Sequence, residues 1–144
     1  MGTILKKAEI NEGMKKMIEE NALALATINE KGEPHNIAIG FVKVISKNQL
    51  LISNNWFVET ANNIKKNPNV SLAVWARNWE ENCIGYEFKG RAEEFTSGKW
   101  LEEIKKIPIN EGLFKAAIGN IVISAVVSDV VGIKFVIRKI SKEF

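Results

Sequence analysis

Residues Leu50 to Trp75 read LLISNNWFVETANNIKKNPNVSLAVW. The apolar run Leu50 to Ser53 has the length and composition of a buried strand. The polar turn Ser53-Asn54-Asn55 follows it. A short helix is predicted from near Thr60 to just before Pro68, because proline cannot continue a helix and steers Asn67 out of the helical region. From Val70 to Ala76 a second strand is expected, with Val70, Leu72 and Val74 alternating against Ser71, Ala73 and Trp75. The Thr60 hydroxyl can cap the helix. The turn faces the helix start, where the first N–H groups lack intrahelical partners and the dipole favours negative charge. Two readings fit this spacing. One is a strand–helix–strand connection with ordinary capping, and the other is a corner that binds a phosphate.

The chain has 144 residues, an apolar fraction of 46% and a formal net charge of +3. These values describe a folded domain with a real core and argue against disorder. A single domain over residues 1–144 is expected. The single cysteine, Cys83, excludes a disulfide framework and a Cys-rich zinc site, and the single histidine, His35, excludes a His-based metal site. Cys83 reads as an inert buried thiol. Residues 1–10 hold lysines but no apolar run of signal-peptide length, and no segment is apolar over the ~18 residues a membrane span needs. A soluble, cytoplasmic protein is therefore expected. Basic residues come as pairs on predicted helices, such as Lys15-Lys16 and Lys65-Lys66, and read as solvated faces. Aromatic residues are not interleaved with them along one strand, so nucleic acid is not the expected partner.

Ile10, Met14, Met17 and Ile18 recur at helical spacing and predict an amphipathic helix over Ile10 to Glu20. Leu23 to Ile28 reads as a strand, and Asn29 to Gly32 as a turn with Gly32 available for positive φ. Pro34 opens the next strand, in which Ile37, Ile39 and Phe41 share one face and Asn36, Ala38, Gly40 and Val42 the other. That second face of small residues with an asparagine either packs on a neighbour or admits close approach to the backbone. From Ile84 a long strand alternates Tyr86, Phe88, Gly90 and Ala92 against the solvated Glu87, Lys89, Arg91 and Glu93, and Gly90 marks a bend or bulge. Thr96 or Ser97 caps a helix bearing Trp100, Leu101 and Ile104, which Pro108 ends. A helical piece follows near Glu111 to Ala117. Two last strands, Gly119 to Val127 and Val131 to Arg138, are joined at Ser128-Asp129. About seven strands in mostly antiparallel order, with two or three short helices, point to a barrel.

At this level the chain resembles the FMN-binding split-barrel family, the pyridoxine-phosphate-oxidase-like flavoproteins, and among them the small FMN-binding proteins. The resemblance runs from about Met14 to Val131. It rests on Leu25-Ala26-Thr27 with Gly32 and Pro34; on the Leu-Leu-Ile-Ser strand with Thr60, Asn63 and Ile64; on Asn67-Pro68, Val70, Ser71 and Leu72; and on Gly85-Tyr86, Gly90 and Ala92-Glu93. It implies a mainly β fold with a few short helices, a Greek-key split barrel that forms a homodimer with FMN in the clefts between subunits. It implies a cofactor site built from Asn36, from Ser53 and Asn54, and from Thr60 and Asn63. The backbone of Asn54, Asn55 and Trp56 would lie along the polar edge of the isoalloxazine ring.

Two positions depart from the family pattern. Members often carry Lys or Arg where this chain has Glu59, and a carboxylate there opposes a phosphomonoester. Lys43, Lys65, Lys66 or His35 would have to compensate. Close relatives place a tryptophan where this chain has Ala116, and Trp56 or Trp79 would have to substitute. No acid–base or nucleophile constellation stands out, so no catalytic residue is assigned. The expected function is that of a homodimeric FMN-binding flavoprotein, acting in electron transfer or in flavin-dependent oxidoreduction of a small-molecule substrate. The alternative is a split-barrel binding module without flavin, with haem, deazaflavin or no ligand. Pyridoxine-phosphate oxidation itself is disfavoured, because the basic run Arg138 to Lys142 reads as a solvated tail.

Overall fold

The computed structural model describes residues 9–54, 58–76, 78, 81, 84–106 and 121–132. Seven strands form one antiparallel sheet. They are β1 (Leu23–Ile28), β2 (Pro34–Ile39), β3 (Val42–Ser46), β4 (Gln49–Asn54), β5 (Asn69–Trp75), β6 (Gly85–Phe95) and β7 (Ile121–Gly132), in the spatial order β2-β1-β5-β6-β7-β4-β3. The edge strands β2 and β3 are consecutive in sequence, with only Gly40 and Phe41 between them. Those two residues span at most roughly 11 Å from Ile39 to Val42. The edges of a flat seven-stranded sheet stand about 29 Å apart. The sheet therefore curls until its edges meet at one corner, which makes a barrel. Among the described residues β2 and β3 share no ladder, so the barrel is split along that seam.

One face of the curled sheet forms the core. Leu25, Leu50, Ile52, Leu72, Val74, Phe88, Ile123 and Ala125 are fully or almost fully buried there. The helix α1 (Glu12–Glu20) adds Met14 and Ile18 to that core, and the Asn11 side chain caps it by accepting from Met14 N–H at 2.9 Å. Glu19 of α1 also accepts the edge-strand N–H of Val44 at 2.9 Å, which removes an open donor from the rim of the sheet. The helix α3 (Lys99–Ile104) covers the other face of β4 and β7, where Leu101 and Ile104 pack with Leu51 and Val122. Lys106 and Lys43 both reach the Glu103 carboxylate, at 2.9 and 3.4 Å. Lys106 first, and Lys43 after it, hold that carboxyl below its usual range. No helix among the described residues is long and apolar enough to cross a membrane.

Several sequence expectations are corrected. The strand opened by Pro34 does not run through to Val42; it ends at Ile39, and Val42 starts a new strand with its side chain in the core, 6% exposed. The break at Gly40-Phe41 resets the alternation. Ser128-Asp129 is not a turn. β7 runs straight through it, and Asp129 pairs with Lys89 where the register shifts between Lys89 and Gly90. The polar pair therefore marks a bulge, with Ser128 Oγ donating to the Lys89 carbonyl at 3.2 Å. Glu87 is not freely solvated, because its carboxylate accepts from Ser71 Oγ at 2.6 Å. Neither Thr96 nor Ser97 caps α3; Gly98 takes the cap position with φ 94°. Cys83, Trp79, Ala116, the helical piece at 111–117 and the stretch beyond Gly132 lie outside the described residues.

Gly90 is the tightest point of the barrel wall. A Cβ there would meet the Val126 carbonyl oxygen at 2.1 Å, and backbone cannot move aside as a side-chain tip can. Gly90→Ala should therefore cost about 1–3 kcal/mol of stability, in the range of other overpacked sites. Urea unfolding with an unchanged midpoint would contradict that contact.

Candidate functional site

The helix α2 (Val58–Lys66) lies against the β1–β2 hairpin and is tied to it along its length. At its start, the Glu59 carboxylate lies 3.3 Å from His35 Nδ1 on β2. At its middle, Asn63 Nδ2 donates to Thr27 Oγ1 on β1 at 3.0 Å, and both residues are buried. At its end, Lys66 pairs with Glu30 in the hairpin turn. Thr27 and His35 face each other across the β1–β2 ladder. The hairpin that receives all three contacts is itself stiff. Asn29 Oδ1 accepts from the N–H groups of Lys31 and Glu33 at 2.9 Å each, and Gly32 takes the positive φ (78°) that the turn requires.

The next residue after Glu59 is different. Thr60 is 1% exposed, yet among the described residues its Oγ1 has no hydrogen-bond partner. The helix begins at Val58, so Thr60 is inside the first turn and does not take the capping position its sequence context suggested. A buried, unpaired hydroxyl costs free energy unless something bonds to it. It stands beside helix N–H groups that also lack intrahelical partners. An acceptor with several oxygens, such as a phosphate, fits both needs.

The other predicted residues are placed as follows. Ser53 is buried on β4 opposite Val122, and its N–H donates to the Phe41 carbonyl at 3.0 Å. Asn54 ends β4, opposite Ile121. Asn55 and Trp56, between β4 and α2, lie outside the described residues. Asn36 is on the outward face of β2, exposed, in a shallow recess of about 360 Å³ that Ala38, Ala24 and Trp75 also line. The structure thus brings Thr60 and Asn63 together on α2 and sets Asn36 on the opposite face of the sheet from His35. Sequence reading missed Thr27 as part of this arrangement. Its signal was present: in Leu23, Leu25, Thr27 the buried face of β1 ends in a hydroxyl.

A cavity of about 820 Å³ lies elsewhere, running past Lys65 and Pro68 at the far end of α2 to Arg91, Glu93 and Trp100. Both signs of charge line it, so its chemistry selects no ligand. Among the described residues no group of three His, Cys, Asp or Glu side chains could hold a metal ion.

Residues 8–142 match the pyridoxamine 5'-phosphate oxidase family, and the chain belongs to that family. It is similar to an uncharacterised protein of Methanocaldococcus jannaschii, 32% identical over 105 residues. That match covers 68% of this chain and 66%, just under two thirds, of the relative. Among solved structures it is similar to HupZ of Group A Streptococcus, with a TM-score of 0.72 and 25% identity over 86% of this chain and 99% of that one. It is also similar in fold to an FMN-binding protein of Syntrophomonas wolfei, with a TM-score of 0.72 and 15% identity over 90% of this chain and 85% of that one. The split-barrel expectation is met.

The Asn63–Thr27 bond is a tie between elements, and its removal should be costly in a particular way. Asn63→Ala leaves the Thr27 hydroxyl buried and unpaired, at about 1–3 kcal/mol. Thr27→Val in the same background should then recover part of the loss, because the orphaned group is gone. Chemical denaturation of the two single variants and the double variant measures this. Strict additivity would show that the bond carries no coupling.

Proposed function

We propose that the protein is a homodimeric FMN-binding flavoprotein of the pyridoxamine 5'-phosphate oxidase family, acting in the cytoplasm. The observation that carries this reading is the buried, unpartnered Thr60 hydroxyl in the first turn of α2. Thr60 Oγ1 and the first backbone N–H groups of α2 hold the cofactor phosphate. Asn63 sets the helix at the correct height by bonding to Thr27. Ser53 and Asn54 close the site from the end of β4, and the backbone of Asn54, Asn55 and Trp56 runs along the polar edge of the ring. Asn36 contributes from the outward face of β2. Family membership and the similarity in fold to an FMN-binding protein support the reading.

Bound FMN supplies redox chemistry of its own, and the protein supplies position and electrostatics. Among the described residues the one buried, unpaired carboxylate oxygen is Glu94 Oε2, which lines the cavity near Arg91, and no acid–base role is assigned to it. The role is electron transfer or oxidoreduction of a small-molecule substrate, with the flavin supplying the chemistry. The second copy covers exposed apolar groups such as Trp75 and Val126, 45% and 47% exposed. Glu59, in the turn that would hold the phosphate, favours a second reading as a barrel without flavin that binds haem, deazaflavin or nothing.

Two measurements test the proposal. The purified protein should retain added FMN through desalting, with oxidised-flavin absorption, and should sediment at twice its 16.1 kDa chain mass. A colourless monomer would reject both halves. Thr60→Val is the sharper test. It deletes a hydroxyl that has no partner among the described residues, so the cofactor-free protein should keep its stability or gain up to about 1 kcal/mol. FMN affinity should fall about tenfold, the equivalent of ~1.4 kcal/mol. Titration showing unchanged affinity would remove Thr60 from the site.

A further inference from the structure

Glu59 sits where a phosphate site should carry no carboxylate, and the structure shows what becomes of it. Its Oε2 lies 3.3 Å from His35 Nδ1, and the two side chains are 61% and 24% exposed. The backbone of His35 is held in place. It stands opposite Thr27 in the β1–β2 ladder, on the hairpin that α2 grips at its middle and its far end. The three lysines weighed against Glu59 are paired elsewhere or lie at the other end of α2. Lys66 is paired with Glu30 in the hairpin turn. Lys43 is paired with Glu103 on α3. Lys65 lines the cavity near Pro68 and Arg91, at the helix's other end. Of the four candidate compensators, only His35 reaches the first turn of α2.

We infer that His35 is a positioning residue for the cofactor phosphate. It holds the Glu59 carboxylate toward β2 and so lessens its opposition to an anion at the helix end. The N-terminus of α2 and the Thr60 hydroxyl then face the phosphate with that opposition reduced. The role is one of specificity, because it matters for a flavin that carries a phosphate and not for one that lacks it. The inference rests on the FMN reading above.

The test is a double-mutant cycle read with two ligands, FMN and riboflavin, by fluorescence titration of the refolded, cofactor-free protein. His35→Gln should weaken FMN about tenfold and riboflavin by less than about twofold. Adding Glu59→Gln should restore FMN to within about twofold of the wild type, since the unpaired carboxylate is then absent. Glu59→Gln alone, a change on the exposed helix surface, should tighten FMN by about threefold and leave riboflavin unchanged. It provides the second route if His35→Gln does not fold. An equal loss for both flavins, or a loss that Glu59→Gln does not relieve, would overturn the role of His35, as would an unaltered FMN-to-riboflavin ratio in Glu59→Gln. A wild-type protein that binds riboflavin and FMN equally, or neither, would instead overturn the phosphate site itself and the inference with it.

Discussion

The two-residue link Gly40-Phe41 is the constraint on which this structure depends. It joins strands that lie at opposite edges of a seven-stranded sheet, and only a closed curl can satisfy it. The curl sends one face of every strand inward and gives the chain its core. It also has to be accommodated in the wall. The register shift at Lys89-Gly90, and the approach of Val126 to a residue that can have no Cβ, are where the longest strands bend. Glu19 then closes off the rim by taking the Val44 N–H. Each feature follows from a sheet that cannot stay flat.

Within that barrel, α2 has a fixed seat on the β1–β2 hairpin. Two residues one turn apart show how a single motif divides its work. Asn63 and Thr60 are both buried polar groups. Asn63 is satisfied inside the protomer, by Thr27, and its burial therefore costs little. Thr60 is not satisfied, and the fold carries that cost. An unpaired buried hydroxyl costs about 1–3 kcal/mol, and a ligand that bonds to it removes that cost. The contrast separates the group that locates the helix from the group that, on the proposed reading, meets the cofactor, although the sequence motif presents them together.

Much of this was legible from the residues. The helix from Ile10, the strand from Leu23, the turn glycine at position 32 and the bulge glycine at position 90 all carried local signals that the structure follows. The failures share a cause. In sequence Ile37, Ile39 and Phe41 read as one unbroken alternation, so a pattern of period two could not show that the chain leaves one edge of the sheet at Ile39 and starts the other at Val42. Ser128-Asp129 has turn composition, but β6 pairs with it and holds it extended. Local chemistry was overruled by partners distant in sequence. The same holds at the site: Thr60 has the composition of a cap, but the helix starts two residues earlier. The contact between His35 and Glu59 joins a strand to a helix, and no spacing rule reports such a pair.

The presence of Glu59 makes physical sense once the empty and filled states are weighed separately. A carboxylate in the first turn stabilises a helix by about 0.3–1 kcal/mol through the dipole. In the empty protein that gain is useful, since α2 begins beside an unpaired buried hydroxyl. In a protein filled as proposed, the same charge competes with the phosphate for the same dipole. A lysine or arginine at this position would reverse both effects, helping the ligand and destabilising the empty helix end. The chain instead keeps the carboxylate and sets a histidine 3.3 Å from it on the neighbouring strand. On the proposed reading, that arrangement lets one side chain serve the helix when the site is empty while opposing the cofactor less when it is full. On the same reading the phosphate site depends on the β1–β2 hairpin, so whatever disturbs the hairpin's hold on α2 reaches the cofactor.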